Sequence, residues 1–120
     1  MDAQHLADRY AAVWNETDGA SRRRQIEQLW IPDGEHFVGT REVRGYDELE
    51  KRVTGSHEKN VRDNGNRFRA VADARQLRDV VCFHWEMLRG ESDEVAAVGL
   101  EFLIVDPQGR IRADYQFIVK

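Results

Sequence analysis

The residues best suited to proton chemistry are Asp114, in Ala113-Asp114-Tyr115-Gln116-Phe117, and the pair His84 and Glu86, in His84-Trp85-Glu86. Side chains two apart on a strand point the same way, so His84 and Glu86 present together. Hairpin pairing sets long strands side by side, which lets Asp114 reach them from a neighbouring strand or across a curved sheet. Two carboxyl groups and an imidazole so placed form a proton relay. Burial and mutual repulsion drive two carboxyl pKa values apart, leaving one group protonated and one ionised. A group poised near neutrality is what general acid–base catalysis uses. The plainer reading makes Asp114 and Glu86 hydrogen-bonded polar residues lining a wet cavity, because buried charges need partners wherever they occur.

His36, His57 and His84 fall on three different elements. No H-x-H or H-E-x-x-H spacing joins them, so no metal site is read; each is expected to be a pocket or core histidine with one hydrogen-bond partner. His57 is the expected pocket histidine, because its helix face also carries Val53 and Val61. Tyr10, Trp14, Trp30, Phe37, Phe68 and Trp85 are core aromatics singly, and together they supply what an apolar ligand pocket requires. The expected ligand contacts are Tyr10, Trp14, Trp30, His36, His57, Phe68 and Glu101. No Gly-rich phosphate loop is present, so no nucleotide cofactor, and no other cofactor, is expected. The lone cysteine, Cys82, sits in Val80-Val81-Cys82-Phe83 and reads as a buried small hydrophobe.

These residues must be held by elements of two kinds. Leu6, Tyr10, Val13 and Trp14 recur at i, i+4, i+7 and i+8, which predicts a helix over 3–17. Asp18 can cap a second helix over 19–31, striped by Ile26, Leu29 and Trp30, with Pro32-Asp33-Gly34 as its stop and turn. The Arg22-Arg23-Arg24 run there reads as a solvated face. Short extended pieces follow at 35–38 and 41–43. A third helix over 46–64 carries Tyr46, Leu49, Val53, His57 and Val61 and ends at Asn64-Gly65. Strand-like runs then cover 66–77, 80–88, 94–105 and 110–119, joined by short turns, so an antiparallel meander is expected. Alternation puts Arg112, Asp114, Gln116 and Ile118 on one face of the last strand, and Tyr115, Phe117 and Val119 on the other. Runs 80–88 and 95–105 are apolar on both sides. Helices can cover one face of such a sheet, and a second subunit is expected on the other, making a homodimer.

The chain is 120 residues with a 41% hydrophobic fraction, 33% charged residues and a net charge of -4, which fits one domain over 1–120 with a packed interior and a solvated surface. A mildly acidic domain has no general attraction to nucleic acid or anionic lipid. No apolar leader or membrane-length segment is present, so the cytoplasm is the expected location.

The order helix, helix, short strands, long helix and four long strands resembles the NTF2-like superfamily, which includes SnoaL-like polyketide cyclases, ketosteroid isomerases and limonene epoxide hydrolases. The resemblance is carried by Tyr10-Ala11-Ala12-Val13-Trp14-Asn15, Leu29-Trp30-x-x-Asp33-Gly34, Val43-Arg44-Gly45-Tyr46-Asp47-Glu48-Leu49 and Asp106-x-x-Gly109-Arg110-Ile111. It implies an α+β cystatin-like cone, three N-terminal helices packed on a strongly curved, mostly antiparallel sheet, with a pocket between them. The Asp114-Tyr115 stretch is similar to the last strand of the limonene epoxide hydrolases, where the Asp is a pocket acid/base. Their Arg-x-Asp is matched here by His84-Trp85-Glu86, with His84 in place of the Arg. Two functions follow as expectations: acid–base isomerisation, cyclisation or hydration of a small apolar molecule through Asp114, or ligand binding and association without turnover.

Overall fold

The computed structural model describes all 120 residues, Met1–Lys120. Asp2 opens the first helix by accepting the His5 amide, and α1 (Ala3–Asn15) buries Leu6, Tyr10, Val13 and Trp14 along one face. Asp18 caps α2 (Gly19–Leu29) through the Ser21 amide at 2.8 Å. The arginine run is not wholly solvated. Arg22 is buried and donates to the carbonyls of Glu16 and Thr17 and to Thr54 Oγ1, tying the α1–α2 turn to the third helix. Arg23 stays at the surface with Glu27, Asp47 and Glu50.

The second helix stops two residues earlier than its pattern predicts, and Trp30 already begins a strand, β1 (Trp30–Val38). Pro32-Asp33-Gly34 therefore does not turn the chain. It lies inside β1, where the register against the last strand shifts between Trp30 and Glu35. Such an irregularity is where an inner strand accommodates a proline, which cannot donate to the ladder. Gly34 is required there, because a Cβ at that position would lie 2.8 Å from Trp30 Cδ1.

A short strand, β2 (Arg41–Arg44), precedes α3 (Gly45–Ser56), which widens into a π-helical segment over His57–Asp63. Gly65, at φ 69°, ends it, so the whole rod matches the extent read from the sequence. The run 66–77 divides into β3 (Arg67–Ala70) and β4 (Arg75–Leu77), both antiparallel to β5 (Val80–Leu88). Then come β6 (Val95–Val105) and β7 (Ile111–Ile118), completing the expected meander. The sheet order is β2-β1-β7-β6-β5-β3, with β1 and β7 parallel.

The three helices cover one face of this sheet. Val81, Phe83 and Trp85 of β5, Glu101, Leu103 and Val105 of β6, and Ile111 and Asp114 of β7 are buried beneath them. Two register shifts decide the faces. One, at Met87/Leu88, lets Leu88 turn inward although His84 and Glu86 face out. The other, between Ile104 and Val105, separates Arg112 from Asp114: Arg112 is exposed and Asp114 is buried. Tyr115 and Phe117 lie on the outer face, 44% and 55% exposed. Cys82 is half-buried on that face rather than in the core. No helix is long and apolar enough to cross a membrane.

Candidate active site

Asp114 is fully buried, and three donors from two elements converge on it. Tyr10 of α1 donates its hydroxyl to Oδ1 at 3.2 Å, and Trp30 of β1 donates Nε1–H to Oδ2 at 3.0 Å. His36 Nδ1 lies 2.5 Å from Oδ1. The parallel pairing of β1 with β7 makes this possible, because His36 and Asp114 are register partners.

The proton on His36 is placed by its other neighbour. Arg52 of α3 points Nε at His36 Nε2, 3.3 Å away. A guanidinium only donates, so Nε2 accepts and Nδ1 carries the proton toward Asp114. This contact selects one tautomer of the imidazole. Arg52 also lies over the Trp14 ring, 5.2 Å from its centroid. Desolvation pushes the Arg52 guanidinium below its ordinary value, with Arg41 nearby adding to the effect.

Glu101 is the second fully buried carboxyl. It stands on β6 opposite Gln116 of β7 and Phe83 of β5. Trp85 Nε1 donates to Oε1 at 3.0 Å, and Oε2 has no hydrogen-bond partner. Burial first, then the charge of Asp114, hold this carboxyl well above the usual carboxylate range. Its surroundings thus favour the protonated form of Glu101, as expected when two carboxyl groups share a dry site. The Tyr10 phenol is likewise raised, by burial and then by Asp114 and Glu101, so it is a donor and not a phenolate.

Trp85 reaches Glu101 because residue 99 has no side chain. A Cβ on Gly99 would lie 2.0 Å from Trp85 Cε2, so the indole lies directly on the β6 backbone.

A cavity of about 200 Å³ adjoins this cluster. Trp14, Phe68, Trp85, Met87, Ala97 and Ile118 form its apolar wall. Arg52, Ser56, Asn60 and Gln116 supply its polar side. Tyr10 belongs to both, lining the cavity and donating its hydroxyl to Asp114.

The structure does not bring His84 and Glu86 to Asp114. His84 pairs with Asp73 at 2.7 Å, Glu86 with Arg69 at 3.0 Å, and both lie on the opposite face of the sheet. His36 and Glu101, expected as ligand contacts, take their places beside Asp114. Of the expected contacts, Tyr10, Trp14 and Phe68 line the cavity. Trp30, His36 and Glu101 sit behind its wall, fully buried. His57 is buried against the Trp14 carbonyl at 2.9 Å and borders a separate surface groove with Thr17 and Arg22. Arg52, Ser56 and Asn60 were not foreseen. Their signal is a polar stripe at i, i+4 and i+8 beside the apolar stripe of α3.

Neither the protein-family models nor the curated proteins compared with this chain give a match. Solved structures do. A SnoaL-like family protein from Agrobacterium tumefaciens, described as a candidate isomerase, superposes with a TM-score of 0.88 at 21% identity over 100% of both chains. An NTF2-like protein with a cystatin-like fold from Novosphingobium aromaticivorans gives 0.70 at 18% identity, over 98% of this chain and 79% of that one. A candidate polyketide cyclase from Sinorhizobium meliloti gives 0.67 at 8% identity, over 98% and 100%. The chain therefore has the α+β, cystatin-like fold of the NTF2-like and SnoaL-like proteins.

Proposed function

We propose that the protein binds a small, largely apolar molecule in the cavity and moves a proton on it, as an isomerase, cyclase or hydratase does. The observation that carries this reading is the double position of Tyr10, which walls the cavity and donates to the buried Asp114. In an isomerisation, Tyr10 passes its own proton to Asp114 while its oxygen takes one from a substrate carbon. The reverse hop returns a proton to a different carbon. His36 and Trp30 hold the Asp114 carboxylate in place for both hops. Protonated Glu101 keeps the site from carrying two adjacent negative charges. The candidate isomerase and candidate cyclase among the similar structures lie in the same reaction class.

The test is proton exchange, since it needs no prior substrate. Cyclohexanone and the two cyclohexenones are incubated with protein in heavy water and followed by proton NMR. Catalysed loss of α-proton signals is expected, and it disappears in Tyr10→Phe and Asp114→Asn. No exchange across the panel, or exchange undiminished in both variants, overturns the reading. A second reading, binding without turnover, is favoured by the full burial of Asp114, His36 and Glu101 behind the cavity wall. It predicts saturable binding with no exchange.

A further inference from the structure

The polar side of the cavity has a chemistry that the proton cluster does not use. Arg52 is half-buried, and its single hydrogen bond within the protein is from Nε to His36. Its Nη1 and Nη2 have no protein partner, and no carboxylate forms a salt bridge with it. An arginine in a partly dry wall normally spends its fork on a carboxylate or on carbonyls, as Arg22 and Arg23 do elsewhere in this chain. The Trp14 ring beneath the guanidinium fixes its plane and leaves the fork unspent. One turn further along α3, Ser56 Oγ accepts from Asn60 at 3.2 Å, which leaves its own hydroxyl proton without an acceptor. Gln116, on the opposite side of the cavity, makes no side-chain hydrogen bond within the protein. All three line the same cavity as Trp14, Phe68 and Met87. A cation and two neutral donors without acceptors therefore face one small space with aromatic walls.

We infer that this cavity takes a small carboxylate, its two oxygens on the Arg52 fork and its apolar body between Trp14, Phe68, Trp85 and Met87. The inference rests on the reading of the cavity as the ligand site and narrows the ligand class. The size limits it further: about 200 Å³ is below the ~300–1,000 Å³ usual for drug-sized ligands, so the body is of the order of a single ring. The geometry also places the ligand. A carboxylate on Arg52 sits next to the proton cluster, because Arg52 Nε is on His36 and Tyr10 lines the same cavity. Arg52 then serves two ends at once. Its Nε fixes the His36 tautomer, and its Nη atoms hold the ligand, so occupancy of the site bears directly on the hydrogen bond that orders His36 and Asp114.

The probe is benzoate, with benzamide as the neutral isostere, titrated into the full chain by calorimetry and by tryptophan fluorescence. Benzoate is expected to bind saturably and at least about tenfold more tightly than benzamide, the effect of a charge-assisted bond in a partly dry site. Raising the salt from 0.05 to 0.5 M, as concentrations of the assay, should weaken benzoate and leave benzamide nearly unchanged. Arg52→Gln should lose the preference, with benzamide binding kept within about twofold. Arg52→Lys, which keeps the charge and loses the fork, should fall between the two. Circular dichroism melts on both variants show that they fold, and if Arg52→Gln does not, the lysine variant and the salt series decide. Equal affinities for benzoate and benzamide, or an unchanged preference in Arg52→Gln, overturn the inference and leave the proton-transfer reading standing. Charge-selective binding with no proton exchange on any ketone supports the inference and overturns the proton-transfer reading instead. If neither probe binds, the carboxylate assignment is wrong.

Discussion

Replacing Glu101 with Gln isolates the proton that the fold holds on that carboxyl. In the unfolded chain Glu101 titrates near the ordinary glutamate value of about 4.3. In the folded chain its pKa is raised, chiefly by burial and then by Asp114. Below about pH 4 both states hold the proton, and the difference contributes nothing. Above it the unfolded chain has released a proton that the folded chain keeps, so the folded state loses about 1.4 kcal/mol of stability per pH unit until Glu101 itself ionises. Gln does not titrate. Its Oε1 can still accept from Trp85 Nε1, and its amide nitrogen takes the place of the partnerless Oε2. All other titrating groups are common to both proteins and cancel in the difference. The stability of the Gln variant relative to wild type should therefore rise by about 1.4 kcal/mol between pH 5 and pH 6. With a urea m value of about 2 kcal/mol/M, this is a relative midpoint shift of about 0.7 M. Urea titrations at the two pH values, followed by tryptophan emission, read it directly. Parallel pH profiles for the two proteins would show that Glu101 ionises normally and that no proton is stored beside Asp114.

Gly99→Ala should displace the Trp85 indole, because the new Cβ falls 2.0 Å from the ring against a rigid strand. A destabilisation of about 1–3 kcal/mol is expected, with altered tryptophan emission and weakened binding of any cavity ligand, and a melting temperature equal to wild type would refute it. Tyr115, Phe117 and Val119 leave the outer sheet face apolar and exposed, with Phe37 stacked on Tyr115 at 5.1 Å and Phe102 edge-on to Phe117. A homodimer through this face is expected in sedimentation at micromolar concentration, and Phe117→Lys should return it to monomer without changing cavity binding. A monomeric wild type would sink that expectation.

The helices and the meander were legible because their apolar periods run unbroken for many residues. Leu6, Tyr10, Val13 and Trp14 are buried as their spacing requires, and Asp18 caps as its type suggests. Asp114 was legible as an unusual residue because Tyr115 and Phe117 occupy the other row of its strand. Its partners were not. On β5 both rows are partly apolar, so alternation alone does not say which faces the helices. Cys82 and Leu88 share the alternating row of His84 and Glu86 and make it read as inward, while a register shift at Met87/Leu88 puts Leu88 on the inner face and leaves His84 and Glu86 outside. His36 was hidden for a different reason. Pro32-Asp33-Gly34 has turn chemistry, and only pairing with a strand some 80 residues away overrides it, a force that no local window contains. Arg52 was hidden because a cation on a helix is ordinarily solvated, and only the packed structure reveals that its fork is unspent.

The parallel pairing of β1 with β7 also constrains how the chain can be made. The last strand slots between β1 and β6, the earliest long strand and the penultimate one. Until it arrives, both of those edges are open, and Tyr10, Trp30 and His36 have no carboxylate to converge on. A chain still being synthesised can form its helices and the β5–β6 hairpin, but it cannot close the sheet before β7 has emerged. Pairings this distant along the chain form slowly, and open inner edges are templates for pairing with another molecule. The interval between the first helix and the closing strand is thus the period in which the sheet edges are most open to mispairing, and the proton cluster assembles only when that period ends.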